Sequence, residues 1–173
     1  MRSLSLVAAP ITLALSLLVF APSTVSAQGL GLPVGSELPD FRLTDLEGNE
    51  VHIRSVVEAG KPAVIEIWAT WCTICQALQP QFESMSDAYG DDVSIVAIAV
   101  SVGQSREDVA AHVEEYGHTW DFLYDGEGRA VRALEAAGTG IVMMVDRNGR
   151  IAYTGVGSGQ DLMGELEKLV SDR

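Results

Sequence analysis

Cysteine is almost missing from this 173-residue chain, which has only Cys72 and Cys75. Two cysteines three positions apart cannot build the bridged framework that staples many small exported domains. A bridge between them closes too short a loop to restrain the unfolded chain much, and the pair supplies only half of the four ligands a structural zinc needs. Redox chemistry is what remains. Basic residues are also scarce: 11 Lys and Arg stand against 24 Asp and Glu, a formal net charge of −13. That balance argues against nucleic acid and anionic membrane surfaces as partners, since both demand basic patches. The acids form no long run and read as a solvated surface. Proline stops at Pro80, and no repeat, linker or low-complexity segment divides the chain.

The only long apolar run lies at the start. Arg2, the apolar stretch Leu4 to Phe20 and the small residues Val25-Ser26-Ala27 have the order of a secretory signal, with cleavage expected after Ala27. An uncleaved anchor helix is the alternative, weakened by Pro10, Thr12 and Ser16. No cysteine sits near the junction, so a lipid anchor on that residue is excluded. Either way the rest of the chain is expected outside the cytoplasm, in a periplasmic setting. Residues 28–173 are then one domain of 146 residues, with 10 basic against 24 acidic side chains.

Within that domain, residues 41–53 alternate apolar and polar about Glu47-Gly48-Asn49 and predict a β-hairpin. Residues 63–69 and 93–100 are nearly continuous apolar runs, as expected of strands buried on both faces of a mainly parallel sheet. A helix over 73–89, with Pro80 removing one donor, joins them into a βαβ unit. Ser105 to Asp108 predicts a capping box opening a helix that runs to Tyr116 and stops at Gly117. A short strand over 120–124 and an Ala-rich helix over 127–137 follow. Strands over 141–145 and 150–154 flank Asn148-Gly149, a hairpin signal, and a last helix puts Leu162, Leu166 and Leu169 on one face. The whole reads as an α/β domain with a central mixed β-sheet flanked by helices and an N-terminal β-hairpin extension.

The cysteines fall where a buried strand turns into a helix. Unpaired amides and the helix dipole there favour an anion, so the Cys72 thiolate should be stabilised below a free thiol's pKa of about 8.5. Cys72 is therefore expected to be the attacking nucleophile. Cys75, one turn in, is expected to be more buried and to resolve the mixed disulfide by attacking Cys72.

Ile67-Trp68-Ala69-Thr70-Trp71-Cys72-x-x-Cys75, with Pro80 five residues on, resembles the active-site signature of thioredoxins. The segment Leu38-Pro39-Asp40-Phe41-x-Leu43 and the extra helix over 105–116 are similar to the TlpA-like branch of exported thioredoxins. The resemblance spans residues 28–173 and implies the thioredoxin fold and protein disulfide oxidoreductase activity without a cofactor. It implies a protein disulfide or dithiol substrate, apocytochrome c among them, and a membrane-spanning electron donor. Glu66, six residues before Cys72, matches the buried acid of thioredoxins, where many TlpA-like proteins have Asn. Burial should raise its pKa and suit it to accept the Cys75 proton. Trp71 is expected to cover the cysteines and help dock substrate, whereas Trp68 is expected in the core. The apolar pair Thr73-Ile74 gives the thiolate no positive charge and tilts the site toward a reducing poise.

The resemblance breaks at Ala136-Ala-Gly-Thr-Gly-Ile141, where Gly140 stands at the position of the family's cis-proline. The Thr139-Gly140 bond should be trans, because a non-proline cis bond costs about 3 to 4 kcal/mol. Thr139 and Gly140 are candidates for substrate binding on a repositioned edge, and Gly138 and Gly140 are expected to make the loop mobile. This break motivates a rival: a module holding copper(I) between Cys72 and Cys75, helped by a Met or His such as Met143, Met144 or His118. Met143 and Met144 are more readily read as strand packing, and nothing pairs His52 or His112 with the cysteines. A non-catalytic docking domain is a third reading, opposed by the intact cysteines. Specificity is expected in the loops over 102–104, 117–120 and 137–141.

Overall fold

The computed structural model describes residues 30–171. The signal-like segment and its Ala27 junction lie outside the described residues. The alternating stretch folds as the hairpin β1 (Arg42–Asp45) and β2 (Glu50–His52), antiparallel with Leu43 opposite Val51. The Asp45 carboxylate closes its turn by accepting the Asn49 amide at 2.7 Å. One helical turn, α1 (Ile53–Val56), follows and buries Ile53.

The two apolar runs become the parallel strands β3 (Ala63–Trp68) and β4 (Ser94–Val100), joined by α2 (Thr73–Tyr89). All six residues of β3 are buried. Helix α2 turns Leu78, Phe82 and Met85 inward, and Pro80 lies inside it at an exposed position. The next helix, α3 (Arg106–Tyr116), starts at the Ser105/Asp108 capping box and ends at Gly117, whose φ of +68° glycine adopts without Cβ strain. The remaining elements are β5 (Asp121–Asp125), α4 (Arg129–Ala133), β6 (Ile141–Val145), β7 (Ile151–Val156) and α5 (Leu162–Ser171).

The seven strands form one mixed sheet in the order β2-β1-β5-β4-β3-β6-β7. The hairpin is its continuation: β1 pairs with β5, Thr44 opposite Tyr124. Core side chains separate onto two faces. Ile65, Ile67 and Met143 lie on one; Val64, Met144, Phe82 of α2 and Leu162 and Leu166 of α5 pack on the other. Each of these large side chains contributes about 1.5–3 kcal/mol of burial, which fixes α2, and with it the cysteines, against the C-terminal end of β3. Among the described residues no helix is long and apolar enough to cross a membrane.

Two expectations need correcting. The Ala-rich stretch is helical only over Arg129–Ala133. Beyond it the chain pairs with the N-terminal segment instead: Gly31 donates to the Glu135 carbonyl at 3.2 Å and Leu30 bridges Ala136. Tertiary pairing there overrides helix propensity. The loop over 137–141 is also not loose. The Gly140 amide donates to the Ile67 carbonyl at 2.8 Å, and the Gly140 carbonyl accepts from the Gly157 amide at 3.0 Å and from the buried Gln160 Nε2 at 3.3 Å.

Candidate functional site

Strand β3 delivers the chain to the site, and α2 begins in it. Cys72 is the N-cap of α2, with extended backbone (φ −81°, ψ 101°), and its sulfur accepts the Cys75 amide at 3.1 Å. A cap side chain normally offers oxygen to this orphan donor; here a sulfur takes the place. The two sulfurs are bonded to each other across a Cα–Cα distance of 5.3 Å. When the bond is reduced, the same amide and the helix dipole bear on the Cys72 sulfur and favour its thiolate. The cysteines are buried alike, Cys72 at 4% exposure and Cys75 at 6%. Burial therefore does not distinguish the two cysteines as the sequence reading expected; they differ in that Cys72 holds the capping position.

The turn before Cys72 is clamped by a residue that sequence reasoning did not single out. Gln104 is buried, accepts the Thr70 amide and hydroxyl at 2.8 and 2.7 Å, and donates to the Val100 carbonyl at 2.6 Å. Its only sequence signal is an amide residue one place before a capping box. Val102 faces outward, and its carbonyl accepts the Trp71 indole at 2.8 Å. Trp71 is half exposed and Ile74 partly so, whereas Trp68 is buried.

Across from the disulfide, Gly140 lies against Ile74. A Cβ there would come within 2.6 Å of Ile74 Cγ2, and the φ of +72° is a left-handed value. The described residues contain no cis peptide bond. A proline at 140 could not make the Gly140–Ile67 hydrogen bond, because it has no amide hydrogen. Gly140 thus spends both of its polar backbone groups on the fold. Among the described residues, neither the amide nor the carbonyl of Thr139 has such a partner.

Glu66 occupies the centre of β3, opposite Val142 on β6 and Ala97 on β4. It is 6% exposed, and burial pushes its carboxyl up to about 8. Its Oε1 has no hydrogen-bond partner. Glu66 and Cys75 line one cavity of about 30 Å³, together with Trp68, Trp120, Gln79 and His118. His112 lines it too, with its ring 5.7 Å from that of Trp68, so this histidine is tied to the cysteine site, contrary to the sequence reading.

No group of three or more His, Cys, Asp or Glu able to hold a metal occurs among the described residues. Met143 and Met144 are fully buried on opposite faces of β6. A cleft of about 430 Å³, lined by Arg42, Arg106 and Arg129, shares no residue with the cysteine site. Each of those arginines is already paired with a glutamate, at 3.2, 3.1 and 2.8 Å.

The Redoxin family profile matches residues 33–169. The chain is 28% identical over 138 residues to the thiol-disulfide oxidoreductase ResA of Geobacillus thermodenitrificans (strain NG80-2), covering 79% of this chain and 78% of that one. It is 29% identical over 126 residues to the thiol:disulfide interchange protein DsbE of Escherichia coli (strain K12), covering 72% and 65%. In fold it is similar to the thioredoxin domain of a thiol-disulfide oxidoreductase from Bacteroides vulgatus, with a TM-score of 0.70 at 24% identity over 80% of this chain and 99% of that one.

Proposed function

The chain belongs to the Redoxin family and is a thiol-disulfide oxidoreductase; we propose that it is an exported reductant of protein disulfides in which Cys72 attacks, Cys75 resolves and Glu66 takes the Cys75 proton. The Cys72 thiolate attacks one sulfur of a substrate disulfide, which expels the other sulfur as a thiolate. Cys75 then gives its proton to Glu66 and attacks Cys72. The Cys72–Cys75 bond forms, the bond from Cys72 to substrate breaks, and the second substrate thiolate leaves with that electron pair. The substrate gains two electrons and the protein loses two. A dithiol donor on the membrane would restore the reduced pair.

The observation that carries this reading is the Cys72 sulfur held on the amide at the start of α2, above a buried acid that shares a cavity with Cys75. Docking is assigned to Trp71 and to the Thr139-Gly140 edge. The exposed faces of Trp71 and Ile74 offer apolar contact around Cys72, and the free backbone groups of Thr139 suit an extended peptide. Export rests on the signal-like segment from Arg2 to Ala27. Apocytochrome c is the substrate that the TlpA-like resemblance suggests.

Insulin-disulfide reduction and the redox potential test the assignment, each run with and without copper(I). Turnover that is lost in Cys72→Ser, with a potential near the roughly −270 mV of thioredoxin, supports it. Tight stoichiometric copper(I) binding without turnover would replace it by the metal-binding reading.

A further inference from the structure

A carboxyl ionising near 8 is protonated in about nine molecules of ten at pH 7, so Glu66 must lose a proton before it can take one from Cys75. Glu66 is buried in the middle of the sheet, with no hydrogen-bonding neighbour at Oε1, so its proton needs a carrier from that side. Polar groups near it line the cavity it shares with Cys75. That cavity has the volume of a water molecule, and the three buried side-chain polar atoms without partners among the described residues, Glu66 Oε1, Trp68 Nε1 and Trp120 Nε1, all belong to residues that line it. An acceptor and two donors around such a volume are what holds a water in a protein interior.

Two histidines line the same cavity, and they differ. His118 stacks on Trp120 at 4.6 Å, and its ring is hydrogen-bonded by the side-chain amide of Gln79 from α2. His112, on α3, lies between the rings of Trp68 and Tyr116 with no hydrogen bond among the described residues. Both are half-buried and so reach the cavity and solvent.

We propose that His118, oriented by Gln79, relays the proton between Glu66 and solvent. The proposal rests on the role assigned to Glu66 above. Gln79 Nε2 can only donate, so the ring nitrogen it meets, Nε2, is the acceptor of the neutral His118 ring and Nδ1 carries the hydrogen. The Glu66 proton passes through the cavity water to His118 Nε2 as the Gln79 N–H gives up that nitrogen. Nδ1–H then releases its proton to solvent, and the ring returns neutral in the other tautomer, which exchange with solvent resets. The carboxylate so formed takes the Cys75 proton, and the Cys75 thiolate closes on Cys72. When a dithiol reduces the protein, the protons run in reverse. Burial lowers the His118 pKa from 6.5, Glu83 on α2 opposes that and His112 on α3 adds to it, so the ring is in its accepting form at neutral pH.

The test uses the reduced protein and the aromatic disulfide 5,5′-dithiobis(2-nitrobenzoate) in stopped flow. Attack by Cys72 releases one coloured thiolate and resolution by Cys75 releases a second, so the two steps are read separately. His118→Ala should leave the first release unchanged and slow the second about tenfold, less than the hundredfold or more expected for a group moving in the transition state itself. Added imidazole should restore the second release in proportion to its concentration, which a packing defect would not allow. The ratio of wild-type to variant rate should shrink toward one as the pH falls through the range, below that of an ordinary histidine, in which His118 becomes charged and cannot accept. Gln79→Leu, which keeps the ring, should show a smaller loss with the same rescue.

An unchanged second release in His118→Ala, a loss that imidazole does not restore, or an imidazole-rescued loss in His112→Gln instead would each overturn the relay. Glu66→Gln separates this failure from that of the underlying reading. If it slows the second release while His118→Ala does not, only the relay is wrong; if it has no effect, the Glu66 role and the relay fall together.

Discussion

Replacing Glu66 with Gln removes one ionisation from the middle of the sheet, and its effect on stability can be worked out as a function of pH. In the unfolded chain the carboxyl ionises near 4.5; in the folded protein burial moves this to about 8. The folded state therefore binds more protons than the unfolded state between those values, and stability falls as pH rises through the window. Below 4.5 the contribution is fully present. Each unit of separation corresponds to about 1.4 kcal/mol, so by pH 7 the wild type has lost about 3 kcal/mol and by pH 8 about 4 kcal/mol relative to acid. Glu66→Gln keeps the shape and stays neutral throughout. Other titrating groups act equally on both proteins and cancel in the difference. Urea unfolding of the oxidised wild type and variant, in steps from pH 4.5 to 9, should give curves that converge in acid and separate by several kcal/mol at pH 8, with the variant the more stable. Curves that stay parallel across the range would refute the idea that Glu66 is a raised, unpaired acid in the fold.

Two substitutions test the frame around the cysteines. Gly140→Ala forces a Cβ to within 2.6 Å of Ile74 Cγ2 at a φ of +72°, and should cost about 2–3 kcal/mol in thermal unfolding. Gly140→Pro should cost at least about 3 kcal/mol, since the ring demands φ near −65° and removes the hydrogen bond to Ile67; wild-type stability in either variant would contradict the packing described. Gln104→Leu strips hydrogen bonds from the Thr70 amide and the Val100 carbonyl and should cost about 2 kcal/mol. It should also raise amide hydrogen exchange at Thr70 to Cys72, and exchange protection unchanged there would remove Gln104 from the support of the site.

Much of the architecture was legible because several signals agreed. Residues 63–68 and 94–100 are apolar but for Glu66 and Ser94 and are central strands; Ser105 and Asp108 form the capping box that their spacing predicts, and Gly117 terminates that helix in the left-handed region. What stayed hidden depends on contacts between distant segments. Nothing local to Ala133–Ala136 says that Leu30 and Gly31 will pair there and stop the helix. Thr44 carries no mark of its neighbour Tyr124, which sews the hairpin onto the sheet. At the site the cysteines and Glu66 stood out by residue type. Gln104, Gln160 and Gln79 did not, since a glutamine is unremarkable until its partners are known. Gly140 was identified as a departure, yet its glycines suggested mobility where three hydrogen bonds hold the backbone.

The central claim is that Cys72 attacks and Cys75 resolves. Incubating reduced Cys75→Ser protein with a protein disulfide and separating the products without reductant tests it most directly. The account predicts a covalent adduct on Cys72 that accumulates to one per chain and is released by added dithiol, together with no adduct and no turnover in Cys72→Ser. An adduct that forms on Cys75 in Cys72→Ser while Cys75→Ser stays unmodified would reverse the two roles and contradict the account.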